Sequence, residues 1–249
     1  MHFAQLDLLP WSILAVSAVV IGISKTGIPG LGILAMVFVA IVLPAKQSTG
    51  LILPMLIAGD VCGVGYYRLH ASWGHLARLA PWAVVGVLIG VAALGRLDNA
   101  QIRPLIGGIV LALVLCNLAL VYRPGWREGL SHSYLLAAAI GILGGFTTMV
   151  ANAAGPVMII YLLAMGLPKN AFLGTSAWFF FLINLFKVPF SAGLGLITWA
   201  SLTLNAILLP GILLGAWLGV RFAKRMPEKV FANVAQVLAA AAALKLLFG

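Results

Sequence analysis

A lysine, two hydroxyls and several glycines stand together at Gly22-Ile23-Ser24-Lys25-Thr26-Gly27-Ile28-Pro29-Gly30-Leu31-Gly32, inside an apolar stretch running from Trp11 to Leu43. A charged side chain deep in a bilayer costs roughly 2.5–3.5 kcal/mol on insertion scales, so its default reading is functional. Glycine and proline interrupt helices, and an interrupted membrane helix is tolerated where its freed backbone groups line a cavity or are buried in protein. A second stretch, Gly144-Gly145-Phe146-Thr147-Thr148-Met149-Val150-Ala151-Asn152-Ala153-Ala154-Gly155-Pro156, interrupts another over-long apolar run. Ser24, Thr26, Thr147, Thr148 and Asn152 supply neutral donors, Lys25 a positive charge, and Gly27 lies among them. Each break should also present a helix N-terminus, whose unpaired N–H groups and dipole favour an anion. Together these groups describe a site for a small oxyanion. Two plainer roles compete: Gly, Ser and Thr also serve close helix packing, and Lys25 could snorkel to an interface.

Three more residues belong to this chemistry. Asp60 is an acidic residue in the middle of an apolar run, and reads either as a proton-coupling carboxylate or as a fixed counter-ion to Lys25 or Lys187. Asn184 occupies the matching place in the second half, where it can hydrogen-bond but not titrate. Lys187, just before Pro189, either supplies a second cation or marks a helix end. Cys62 and Cys116 lack any CxxC context and read as small buried hydrophobes; a thiol-redox protein passing electrons between them is the alternative from another functional class. His70 and His75 flank Trp73 as interfacial residues, and no metal or other cofactor is expected.

The elements that must hold these residues follow from composition. Sixty-three per cent of the 249 residues are hydrophobic and 8% charged, whereas soluble domains carry about 25% charged residues. The chain is therefore expected to be an all-α polytopic membrane protein, one integral domain over residues 1–249. The net charge of +10 sits at the ends of apolar runs, as topology signals do, and excludes a phosphate-tracking stripe for nucleic acid. Apolar runs at 11–43, 47–67, 79–94 and 104–122 are followed by a linker at 123–129, and the pattern then recurs. A shift of 123 superposes Gly22 on Gly145 and Gly32 on Gly155; a shift of 124 superposes Pro44 on Pro168, Gly50 on Gly174 and Asp60 on Asn184. At a shift of 129, Pro81, Gly86 and Gly90 meet Pro210, Gly215 and Gly219. Residues 8–122 and 131–248 therefore read as two repeats, the internal symmetry on which many secondary transporters are built.

Orientation comes from the basic residues. Arg68 and Arg78 flank one loop whose counterpart, 191–199, is uncharged, while Arg221, Lys224, Arg225 and Lys229 crowd the next loop of the second half. The positive-inside rule then turns the two halves opposite ways, which needs an odd number of crossings in each. About 8–10 membrane segments result, with broken or re-entrant helices at 22–32 and 144–156; the sequence does not separate two short spans from a re-entrant hairpin.

The glycine-rich break at Gly22–Gly32 running on to Leu43-Pro44, its echo at Gly144–Pro156 running on to Gly166-Leu167-Pro168, and the paired Pro/Gly/Gly segments resemble the TauE/SafE sulfite exporter family of anion permeases over nearly the whole chain. The resemblance implies a secondary carrier in the bacterial inner membrane that moves sulfite, sulfonates or related anions; export is the expected direction, and proton coupling the expected drive if Asp60 titrates. The partners it implies are a small anion and the lipid bilayer; a homodimer is left open. The chain departs from the family at Ala151-Asn152-Ala153-Ala154, where glycines are commoner, and this bears on which anion is carried.

Overall fold

The computed structural model describes residues 7–43, 45–94 and 134–248. The apolar run 104–122, the linker 123–129 and Cys116 lie outside them. Nine α-helices follow in order among the described residues: α1 (Leu8–Thr26), α2 (Gly32–Val42), α3 (Ala45–Tyr67), α4 (Trp73–Leu94), α5 (Tyr134–Ala151), α6 (Ala154–Ala164), α7 (Lys169–Gly193), α8 (Trp199–Arg225) and α9 (Glu228–Phe248), with a short 3-10 turn at Arg68–His70. No strand occurs among the described residues. Among the described residues six helices are long and apolar enough to cross a membrane: α1, α4, α5, α7, α8 and the stretch Gly50–His70, made of α3 and the 3-10 turn after it. The chain is an all-α polytopic membrane protein.

The breaks are narrower than the glycine content implies. Gly22, Gly144 and Gly145 lie within α1 and α5, and the chain leaves helical geometry only between Thr26 and Gly32 and between Ala151 and Ala154. The upstream glycines serve contact instead. A Cβ at Gly22 would collide with the backbone of α8 at Ile212–Ala216, and one at Gly145 with the backbone of α4 at Ala83–Val87. The reverse contacts match: Gly215 presses on Val19, and Gly86 on Ile142. Val19 and Ile142 are 123 residues apart, as are Gly22 and Gly145, so the same four-residue seam is made twice. Small residues let membrane helices approach to backbone contact, where dispersion rather than the hydrophobic effect holds them.

These seams fix helix directions. Contact positions rise together along α1 and α8 (Val19 on Gly215, Gly27 on Gly219) and along α4 and α5 (Gly86 on Ile142, Gly90 on Met149), so both pairs run parallel. In α3 and α7 they run oppositely: Gly50 meets Leu196 just beyond α7, and Gly174 meets Tyr67 at the end of α3. One end of the molecule gathers cations on aromatic rings and carbonyls. The Lys224 ammonium stands 5.2 Å from the Tyr66 ring centroid and the Arg78 guanidinium 5.1 Å from that of Tyr134. Lys169 Nζ donates to the carbonyls of Ala223 and Met226, 2.7 Å each. This arginine-rich end holds the close of α3 and α8 and the start of α4, α5 and α7.

The over-long first unit of each half is consequently a hairpin. The α1–α2 unit leaves from and returns to the far end, with the two helices side by side; α5–α6 leaves from and returns to the arginine-rich end. The returning helices, α2 and α6, have 11 residues each, about 16 Å at the α-helical rise and half of a hydrocarbon core of about 30 Å. Two apolar cores result. One joins α1, α2 and the first half of α3 to α8, and the other joins α4, α5, α6 and α9 to α7. Between them, α3 crosses α7.

Candidate functional site

The two hairpin tips end differently, and local sequence explains both. At the end of α5, Asn152 adopts φ 52°, the one non-glycine residue with positive φ among the described residues. Its N–H donates to the Thr148 carbonyl (3.0 Å) and the next N–H, of Ala153, reaches back to Thr147 (3.1 Å), the double closure that a left-handed residue permits after a helix. Asparagine tolerates this conformation better than other non-glycine residues and leaves its amide at the tip. At the end of α1, Gly27 lies flush against Gly219, where a side chain would meet the α8 backbone. Ser24 then folds back to accept the Gly32 N–H at 2.9 Å, which caps α2.

A continuous polar chain joins the tips through the crossing of α3 and α7. Lys25 Nζ pairs with Asp60 Oδ1 at 2.7 Å, the two side chains being 11% and 0% exposed. Asn184 Nδ2 donates to Asp60 Oδ2 at 2.7 Å. Lys187 Nζ donates to Asn152 Oδ1 at 2.6 Å and to Thr148 Oγ1 at 3.1 Å, and stands 3.4 Å from Asn184 Oδ1. The residues matched by the 124-residue shift, Asp60 and Asn184, thus bond directly to each other, which is where a two-fold relation between the halves places its axis. The ammonium of Lys25 also lies 4.2 Å from the Phe180 ring centroid.

Beside this chain a cavity of about 770 Å³, part of it open to solvent, is lined on its polar side by Ser24, Lys25, Asp60, Thr148, Asn152 and Asn184. Apolar walls come from α2, α6 and α7, with Met36, Ile159 and Phe180 prominent. Lys187 stands behind the polar wall, holding Thr148, Asn152 and Asn184 by their oxygens. Because the Thr148 oxygen accepts from Lys187, its own proton is left for a guest. The N–H groups of Ala154 and Gly155, at the start of α6, meet no acceptor among the described residues, and Gly155 opens on the cavity with no side-chain or backbone neighbour near its missing Cβ. A monovalent anion with a short apolar portion suits such a space: fixed donors on one wall, hydrocarbon on the other.

The sequence-derived candidates divide cleanly. Ser24, Lys25, Asp60, Thr148, Asn152 and Asn184 line the cavity, and Lys187 braces it. Thr26, Gly27 and Thr147 are not among its lining residues. The Thr26 hydroxyl bonds to the carbonyls of Gly22 (3.0 Å) and Ala216 (2.7 Å), and that of Thr147 to Leu143 (2.8 Å) and Gly144 (3.2 Å). Hydroxyls in membrane helices find the carbonyl one turn back when no better acceptor is near. Lys187 marks no helix end: it is 2% exposed, inside α7. Cys62 is a free, half-buried thiol on α3. Ser176 and Phe180, which also line the cavity, carry no sequence signal beyond their place in an apolar run, though Phe180 is matched by Leu56, another lining residue, at the 124-residue shift.

Comparison with known proteins decides the class. Residues 14–246 match the sulfite exporter TauE/SafE family. The chain belongs to that family. No curated protein and no solved structure matches it. Membership of a sulfite exporter family implies a membrane transporter for sulfite or a related anion, working in the bilayer on an anionic substrate. This TauE/SafE protein thus carries, where the crossing of α3 and α7 joins two hairpin tips, two lysines set against one carboxylate.

Proposed function

We propose that the protein is a secondary carrier that exports sulfite or a small organosulfonate across the inner membrane in exchange with, or together with, protons. The observation that carries this reading is the buried constellation of Lys25, Asp60, Asn184 and Lys187 beside a cavity into which Thr148 and Gly155 bring donors without an acceptor among the described residues. Two ammonium groups against one carboxylate leave formal charge for an anion, and a cation site would require the opposite balance. The α6 N-terminus adds roughly half a positive charge. The antiparallel crossing of α3 and α7 and the twice-made glycine seam support an inverted repeat of residues 8–122 and 131–248, with the arginine-rich end in the cytoplasm by the positive-inside rule. Asp60, in contact with both a lysine and its own repeat partner, is the residue through which protons are coupled.

The test is flux. Purified protein in proteoliposomes should move labelled sulfite down its gradient, and Lys25→Ala should abolish this while eluting as a folded species. Full sulfite transport by Lys25→Ala would remove the assignment of the cavity.

A further inference from the structure

Resting on that reading of the cavity, we infer that the site accepts one net negative charge in each cycle: a monoanion enters alone, and a dianion enters with a proton that is held on Asp60.

The inference comes from the charges in contact. Among the described residues, Lys25 and Asp60 are the charged side chains lining the cavity, and Lys187 is the one braced behind it. With all three ionised the formal sum is +1. The groups facing Asp60 are Lys25 from α1 and Asn184 and Lys187 from α7. α2 carries no titratable residue, and those of α8, Arg221, Lys224 and Arg225, are exposed at the arginine-rich end. On α3 itself, the Tyr67 hydroxyl is committed to the Thr26 carbonyl at 3.0 Å, and Cys62, two residues on from Asp60 and so roughly on the opposite side of the helix, is half-buried.

Uncompensated charge in a desolvated site is expensive. A monoanion brings the sum to zero. A dianion brings it to −1, and it must also compete with Asp60 for Lys25. One proton on Asp60 removes both difficulties. The amide of Asn184 is suited to either state without turning over: it donates to Asp60 Oδ2 at 2.7 Å while its oxygen accepts from Lys187 at 3.4 Å. Oδ2 can keep accepting as the carbonyl oxygen of the acid while the proton sits on Oδ1, the oxygen that now faces Lys25. The asymmetry between Asp60 and Asn184 is then the specificity device, since a second carboxylate would cancel the remaining charge and exclude even a monoanion.

The experiment measures inhibition of trace labelled-sulfite uptake in proteoliposomes by two probes of fixed charge, methanesulfonate and ethane-1,2-disulfonate, across neutral to mildly acidic pH. Sulfite itself titrates near neutrality and cannot serve as the probe. Methanesulfonate should inhibit with an IC50 independent of pH. The disulfonate IC50 should fall about tenfold for each unit of acidification, the slope for one proton taken up on binding. In Asp60→Asn that slope should vanish. Equal pH slopes for the two probes, failure of either probe to compete, or a slope retained in folded Asp60→Asn each overturns the inference while sulfite uptake persists. Absence of sulfite uptake by the wild-type protein overturns instead the carrier reading beneath it. The two wild-type slopes decide the matter even if Asp60→Asn fails to fold.

Discussion

The two hairpin tips occupy matched places and solve the same problem by opposite means. The first carries its cation within the break, as Lys25, and closes its own helix start: the Gly32 N–H is taken by Ser24, and the next two N–H groups by Gly30 and Leu31 carbonyls. The second has Thr148 where the first has Lys25, borrows its cation from α7 as Lys187, and leaves the Ala154 and Gly155 N–H groups without an acceptor among the described residues. One tip supplies charge, the other supplies directed donors. Near-symmetric halves can thus build a pocket that is polarised from one tip to the other, which suits an anion that must be oriented as well as held.

The cavity shows the same departure from symmetry. Lys25 and Thr148, Gly32 and Gly155, Met36 and Ile159, Leu56 and Phe180, and Asp60 and Asn184 line it as matched pairs. Ser176, on the half of α7 nearer the arginine-rich end, is a half-buried lining residue, while the matched Ile52 of α3 is buried, 4% exposed, and is not among the lining residues. The sharpest expected contrast is accordingly all-or-none. In a background lacking Cys62 and Cys116, Ser176→Cys should react with a thiol reagent applied at the arginine-rich end, and Ile52→Cys should stay unlabelled; equal labelling would erase the distinction between the halves.

Next in size is the lysine of the first tip. Lys25→Met strands a buried carboxylate, which destabilises by about 3–5 kcal/mol. Thermal unfolding in detergent should show the loss, and adding Asp60→Asn should recover most of it without recovering transport. A double variant no more stable than the single one would mean that the pair is not what the tip depends on. Lys187→Met should slow sulfite flux by one to two orders of magnitude but cost less stability, about 1–3 kcal/mol, because the oxygens it leaves are neutral. Should it destabilise as much as Lys25→Met, the two tips are electrostatically alike after all.

The glycine seams give a smaller and symmetric effect. Gly22→Ala and Gly145→Ala each push a methyl into facing backbone, a loss of about 1–3 kcal/mol that should agree between the two. Gly155→Ala, with open space around it, should stay within about 0.5 kcal/mol of the parent. Smallest is the backbone at the second tip. Asn152→Ala should be less stable than Asn152→Gly by about 1 kcal/mol, the left-handed conformation being harder for a residue with a Cβ, although both lose the contact with Lys187.

Much of this was legible in the sequence because polar residues in hydrocarbon have few reasons to be there. Lys25, Asp60, Thr148 and Asn152 announced the site, and the 123- and 129-residue shifts reappear as the facing residues of the two seams. What could not be read depends on direction and rotation. Whether 11–43 turns back or runs on is set by contacts with α8 and by Gly50 against Leu196, not by its own glycines. Thr26 lies two residues from Ser24 and Thr147 one from Thr148, enough rotation around a helix to turn them to carbonyls, Thr26 to those of Gly22 and Ala216 and Thr147 to those of Leu143 and Gly144. Lys187 looked like a terminus because Pro189 follows two residues later, yet α7 continues through that proline to Gly193. A proline removes one N–H from a helix, and in a crowded membrane bundle neighbours absorb the loss.

The pairing of α1 with α8, and of α5 with α4, has a bearing on ancestry. Among the described residues, the glycine face of each first hairpin lies against a helix of the other half. A gene for one half alone would yield a chain with a bare backbone edge in lipid, stable only as an antiparallel couple of identical copies. Were the halves descended from such copies, fusion would have let one keep the acid and the other exchange it for an amide, a division of labour that identical subunits could not hold.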